Sequence, residues 1–362
     1  MPNALHHFVQ ARRENVRKKL FGNRLDGIIF STMSNIRYLS GFTGSAGVFL
    51  LGAKDARLLV DGRYTAQAAS EAAGIQVLQY QNQNQGIAEA VKALNLETVG
   101  FEAAAVSVAM HSDLRKKMKG VTLVPLGDEL SGLRAVKDRR EKALMKKAAA
   151  IASEAMARLA REMRPGWTER ETALQLEWIA RRAGAEQVSF ETIVGSGEHG
   201  ALPHAKPTNR RLRHGDFVVI DFGVKYRGYC SDETCTFTIG ELTAAKKNAY
   251  RAVLRAHDEA IAFVRAGKTA ADVDALVRST LGEKYGRYFV HGTGHGVGLE
   301  VHEAPRLAPN SRDVLLAGMV VTVEPGIYYP GRWGIRIEDT VFVKENGCEL
   351  LTGMSKKLIV IE

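Results

Sequence analysis

Residues 217–232 read FVVIDFGVKYRGYCSD, two β-prone apolar runs that each carry one aspartate, Asp221 and Asp232. A hairpin turning at Tyr226-Arg227 sets the two aspartates directly opposite one another on one face, with Cβ atoms roughly 4.5–5.5 Å apart. Like charges so placed repel, and burial of both raises the cost further. A divalent cation shared between them removes that conflict.

The same arrangement recurs downstream. Val320–Glu324 is strand-like, Pro325-Gly326 and Pro330-Gly331 punctuate a connection, and Gly334–Glu338 reads as a returning strand. Glu324 and Glu338 are symmetric about Gly331. Between the two pairs lies the glycine-rich run HGTGHGVGLEVHE, residues 291–303, with His295 at its centre. Glycines there let backbone approach a ligand or another strand closely. Four carboxylates and one imidazole make a hard, oxygen-rich donor set. It suits a bridged pair of manganese, cobalt or iron ions better than a structural zinc, which prefers thiolates and histidines. Two such ions can activate a water and polarise either a carbonyl or a phosphoryl oxygen.

These runs, together with GEHGALPH at 197–204, NIRYLSGFTG at 35–44, DGRY at 61–64 and GIRIED at 334–339, resemble the pita-bread metallopeptidases. Within that superfamily they are most similar to the Xaa-Pro branch, aminopeptidase P and prolidase. The resemblance covers nearly the whole chain, and all five ligand positions match in order and residue type. It implies an α/β N-terminal domain of the creatinase/prolidase type over 1–132, then an α+β pita-bread catalytic domain over 133–362. In the family, the latter has two α-plus-β halves around a curved antiparallel sheet.

The resemblance also implies roles. Asp221 and Glu338 would bridge the two ions, Asp232 and His295 would each cap one, and Glu324 would both ligate and act as general base. The expected ions are manganese, with cobalt, zinc or iron as alternatives. His204, His291 and His302 would line the catalytic site without ligating, His204 and His302 also binding substrate. On residues alone, satisfying hydrogen bonds among loops is the favoured reading of these three histidines. Arg336, one strand period from Glu338, could balance the carboxylates or meet a substrate carboxylate; a structural ion pair is an equal alternative. Asp339 faces away, and Tyr229 and Tyr328 read as core.

Length and composition agree with two domains. The chain has 362 residues, 45% of them apolar and 25% charged. Net charge is +10, but the basic residues are spread and interleaved with acids, and no nucleic-acid-binding signature accompanies them. Three cysteines, Cys230, Cys235 and Cys348, form no disulfide framework and read as packing residues. The basic N-terminus lacks the apolar core of a secretory signal, and no run reaches the roughly 20 apolar residues of a membrane span. A soluble cytoplasmic protein, bound to neither membrane nor nucleic acid, is expected. It is further expected to form a homodimer or tetramer.

Along the chain, the first part alternates a basic helix to about Phe21, strands at 27–30, 46–51 and 57–60, helices near 66–73 and 87–94, and strands at 98–101 and 121–124. No dinucleotide-binding glycine turn is present. Helices then run over about 138–163 and from Thr168 to about 184, the latter with Glu171 as capping-box partner, and over about 243–266 and 269–285. The leading functional expectation is an Xaa-Pro aminopeptidase, with the dipeptide-restricted prolidase as alternative. A creatinase-like amidinohydrolase works without metal and lacks the intact ligand set, a non-catalytic peptide- or protein-binding module has lost ligands, and a phosphodiesterase lacks these surrounding runs.

Overall fold

The computed structural model of the chain describes residues 2–20, 25–72 and 74–362. It divides into two compact units, Met1–Leu133 and Arg134–Glu362. The expected ends of two helices, Phe21 and Ala73, lie outside the described residues.

The first unit is built on a six-stranded sheet of β1 (Gly27–Phe30), β2 (Val48–Gly52), β3 (Ala56–Val60), β4 (Gln76–Gln79), β5 (Thr98–Glu102) and β6 (Thr122–Leu126), in the order β4-β3-β2-β1-β5-β6. The centre of the sheet is buried on both faces, which explains the unbroken apolar runs of β1 and β2. Around it lie α1 (Pro2–Leu20), α2 (Met33–Ser40), α3 (Thr65–Glu71), α4 (Gln83–Ala93), α5 (Val108–Lys117) and the short α6 (Asp128–Ser131). Strand β4 and helix α5 have no counterpart in the sequence reading. The QVLQ of β4 is half polar, and α5 buries only Leu114, so neither shows an amphipathic period. The buried carboxylate of Glu102 accepts from the Ser31 and Thr32 amides and so caps the start of α2.

The second unit consists of two α-plus-β halves. In the first, α7 (Arg139–Glu162) and α8 (Glu169–Arg182) pack on the sheet β20-β12-β9-β8, made of β8 (Ile193–Ser196), β9 (Phe217–Phe222), β12 (Glu233–Ile239) and β20 (Val360–Ile361). In the second, α9 (Ala244–Phe263) and α10 (Ala270–Gly286) pack on β13 (Gly294–Gly296), β14 (Glu303–Leu307), β15 (Val320–Val323), β18 (Asp339–Val343) and β19 (Cys348–Leu350). Two small sheets complete it, β7 (Gln187–Val188) with β10 (Val224–Tyr226) and β11 (Tyr229–Cys230), and the hairpin of β16 (Gly326–Tyr329) and β17 (Trp333–Arg336). This is the pita-bread architecture. The four long helices begin where the caps predict: Asp138 and Thr168 form full capping boxes with Glu141 and Glu171, and Thr243 and Thr269 cap the other two.

Two registers matter for the site. Tyr226 pairs with Tyr229, so the first turn falls at Arg227-Gly228, one residue beyond the expected Tyr226-Arg227. Both turn residues have positive φ, 47° and 77°, the conformation of a two-residue hairpin that follows strand twist and needs glycine at its second position. Asp221 therefore faces Thr234, not Asp232. Because the slip is two positions, Asp232 keeps its face and becomes the diagonal neighbour of Asp221. The second register is as the sequence suggested: Val323 pairs with Asp339 and Gly326 with Arg336, so Glu324 and Glu338 are level. The connection expected between them is itself the β16–β17 hairpin.

Candidate metal centre

Four of the five candidate ligands lie near strand ends or between strands, and His295 sits at the centre of β13. Asp221 is near the end of β9, Asp232 links β11 to β12, Glu324 follows β15, and Glu338 precedes β18. The backbone N–H of Glu338 donates to Thr234 O at 3.1 Å, and that of Glu324 to Thr293 O at 2.8 Å, which brings carboxylates from both halves together. His295 needs glycine on either side. A Cβ on Gly294 would sit 2.0 Å from Thr322 O, and one on Gly296 2.2 Å from Ala304 O. Asp274 of α10, fully buried, accepts from both the backbone N–H and hydroxyl of Thr293 and pairs with Arg278, whose guanidinium donates to the His291 carbonyl at 2.7 Å.

Oxygen and nitrogen donors converge there. One ligand atom from each of Asp232, His295 and Glu338 lies within 4.8 Å of the others. His295 Nε2 is 3.6 Å from Asp232 Oδ2 and 3.4 Å from Glu324 Oε1. Its Nδ1 is 3.0 Å from Gly296 O, which fixes the tautomer with Nε2 as a lone-pair donor facing the carboxylates. Asp221 Oδ2 accepts from Arg336 Nη2 at 2.5 Å, whereas its Oδ1 is buried without a hydrogen-bond partner among the described residues. An orphaned carboxylate oxygen is costly unless something positive meets it.

The electrostatics point the same way. Burial raises Asp232 well above the ordinary carboxylate range, and the negative charges of Glu338, Asp221 and Glu324 push it further. Glu338 is raised by burial and then by Glu324 and Asp221. Burial also raises Glu324, against the pull of His291 and Arg336. Burial lowers His295, keeping its ring neutral and able to ligate. The residues therefore fit divalent cations. Cys230 and Cys235 are not part of the cluster: burial pushes their thiols up to about 11 and about 12, and they stay protonated.

Around this cluster the other expected residues fall as follows. His302 stacks edge-on against His295 with ring centroids 4.3 Å apart. His291 has both ring nitrogens engaged, Nδ1 2.7 Å from Gly292 O and Nε2 3.0 Å from the Tyr328 hydroxyl. Burial lowers His291, partial desolvation lowers the half-covered His302, and His204 lies close enough to lower both further. His204 itself is exposed, on a turn after a 3₁₀ segment, Gly197–Ala201. Arg336 is buried and fully used: besides Asp221 it donates to Thr234 Oγ1 at 3.1 Å, the Tyr328 hydroxyl at 2.6 Å and Pro203 O at 3.0 Å. Asp339 faces away as expected and joins Lys356, Thr352 and His257.

Three contributors escaped the sequence reading. Tyr328, read as core, places its hydroxyl between His291 and Arg336; burial pushes it up to about 12. Thr234 donates its hydroxyl to Glu338 at 2.6 Å while accepting from Arg336, and its parity with Asp232 was the available signal. Glu169, fully buried in α8, accepts from Ser196, His199 and Thr208 and so ties down the segment leading to Pro203 and His204. Nothing local in the sequence marks it.

Residues 143–345 match the model of metallopeptidase family M24, and residues 12–136 that of the creatinase/prolidase N-terminal domain. The chain is 35% identical to the Xaa-Pro dipeptidase of Pyrococcus furiosus over 97% of its own length and 100% of the relative's. Among solved structures, an Xaa-Pro dipeptidase from Bacillus anthracis superposes with a TM-score of 0.94 at 39% identity, covering 98% of this chain and 100% of that one. An X-Pro aminopeptidase from Thermotoga maritima gives 0.88 at 36% identity, covering 93% and 98%.

Proposed function

The chain belongs to metallopeptidase family M24, and from that premise we propose that it hydrolyses the bond between an amino acid and a following proline, with Xaa-Pro dipeptides as its substrates. The observation that carries the chemistry is the buried carboxylate cluster, with Asp221 Oδ1 orphaned and His295 Nε2 turned toward Asp232 and Glu324. The end-to-end matches to proteins named Xaa-Pro dipeptidase support the dipeptide reading over the aminopeptidase expected first. The aminopeptidase reading is retained as the second, on the similarity to the Thermotoga protein.

Asp221, Asp232, His295, Glu324 and Glu338 would hold the cations, which when bound lower the pKa of water and polarise the substrate carbonyl. Glu324, raised by burial, would take a proton from the attacking water and deliver it to the proline nitrogen as the C–N bond breaks. His204 and His302, both exposed, are the histidines that can meet substrate. His291 orients Tyr328 and Arg336. The hold of Arg336 on Asp221 supports charge balance as its main task, with a substrate carboxylate contact as the weaker alternative. Manganese as the ion follows from the hard donor set. A homo-oligomer in the cytoplasm completes the proposal; among the described residues no helix is long and apolar enough to cross a membrane.

The test is to incubate manganese-loaded protein with Gly-Pro, Arg-Pro-Pro and Arg-Ala-Ala and identify products by mass spectrometry. Cleavage of Gly-Pro alone is expected. Cleavage of Arg-Pro-Pro after its first residue would make the protein an aminopeptidase, and absence of any proline-dependent cleavage would refute both.

A further inference from the structure

Under the loop that ends in His302 lies a group of buried charges for which the proposed chemistry has no use. The Glu303 side chain, 3% exposed, accepts from Arg134 Nε at 2.9 Å and Lys137 Nζ at 3.4 Å. It also accepts from the backbone N–H of Glu300 at 3.1 Å. Arg134 reaches Glu300 as well, at 2.6 Å, so two cations are balanced by two carboxylates. Lys137 is itself buried, and its backbone N–H donates to Gly318 O at 2.8 Å. Its carrier segment is thereby fixed.

The loop is shaped around this carboxylate. A Cβ on Gly298 would meet Glu303 Oε2 at 2.5 Å, so only glycine leaves the carboxylate its place. Gly298 donates to Glu300 O at 2.9 Å and accepts from Cys230 N at 2.8 Å, closing the loop against β11. On the loop's far side, His302 rests edge-on against the His295 ring, with centroids 4.3 Å apart. One rigid loop thus carries the Glu303 clamp below and His302 above. Charge-assisted bonds to a buried carboxylate are the means by which a loop residue is held to a fraction of an ångström.

We propose that Glu303 is a positioning residue: clamped by Arg134 and Lys137, it fixes His302 against His295 for peptide hydrolysis. The role in turnover rests on the metallopeptidase reading above; the positioning of the ring does not. In the full-length, metal-loaded protein, E303Q is expected to lower kcat by about 10-fold to 100-fold with KM little changed. The loss should vanish in an H302N background, so that E303Q/H302N matches H302N alone. Additive losses would overturn the proposal. R134K, which keeps the charge but loses the fork, is expected to give a smaller loss of the same kind and carries the same cycle if E303Q does not fold.

A second measurement is independent of turnover. In zinc-loaded protein labelled at histidine, the His302 ring resonance is expected to move in E303Q or R134K. It should stay in E349Q, a control at the surface ion pair with Lys142 and Lys146. An unmoved His302 resonance in both clamp variants would refute the positioning role whether or not any peptide is cleaved. If wild-type protein cleaves no peptide but the resonance moves, the peptidase reading fails and the clamp stands.

Discussion

At the residue scale, the site is a problem of charge in a dry place, and single side chains should report it. Glu324→Ala removes the proposed base, which is also a proposed ligand. Turnover of an Xaa-Pro substrate is expected to fall by at least about 10²–10⁴-fold, read as kcat alongside metal content. Wild-type-like turnover would exclude Glu324 as the base. Tyr328→Phe strips a hydroxyl from between His291 Nε2 and Arg336 Nη1. Leaving those buried groups short of a partner is expected to cost about 1–3 kcal/mol, visible in denaturant unfolding. The four candidate carboxylate ligands stood out in the sequence because carboxylates at strand ends have few innocent explanations, and His295 stood out by its glycine-rich setting. Tyr328 could not, since an aromatic in an apolar strand usually packs; only the fold shows its hydroxyl meeting two polar groups.

At the element scale, glycine and turn chemistry decide where those side chains go. Gly294→Ala would drive a methyl to within 2.0 Å of the Thr322 carbonyl, a backbone atom that cannot step aside. The expected outcome is loss of metal and a lower melting temperature, checked by metal analysis and calorimetry; normal values for both would show that β13 and β15 can separate without harm. Gly228→Ala places a side chain at φ 77° in the β10–β11 turn and is expected to destabilise by about 1 kcal/mol. A neutral result there would argue against the observed register. That register marks the limit of local reading. Moving the turn by one residue replaces Asp232 with Thr234 opposite Asp221, and a stretch with several turn-forming positions does not announce which is used.

At the scale of the whole molecule, folding two α-plus-β halves together forces four carboxylates into one interior, and stability should depend on pH and metal accordingly. Asp232, Glu338 and Glu324 are raised above their unfolded values of about 4. A raised carboxyl binds more protons folded than unfolded. Stability of the metal-free protein should therefore fall as pH rises from about 4 through the raised values. Cation binding favours the ionised forms and strengthens over the same range. The gap in melting temperature between loaded and stripped protein is thus expected to widen from about pH 5 to pH 8; a constant gap would mean that the carboxylates stay ionised without metal. The sequence by itself determined the family, the two-unit architecture and the helix caps, and it singled out the five candidate ligands. Each of these rests on residue type at short spacing, where local geometry is strong. Only the tertiary structure decided that Asp221 faces Thr234, that Arg336 holds Asp221, that Tyr328 joins His291 to Arg336, and that Glu169 and Glu303 brace the loops of His204 and His302. These contacts join residues from 8 to 169 positions apart, and they exist only once the strands and loops that carry them have packed.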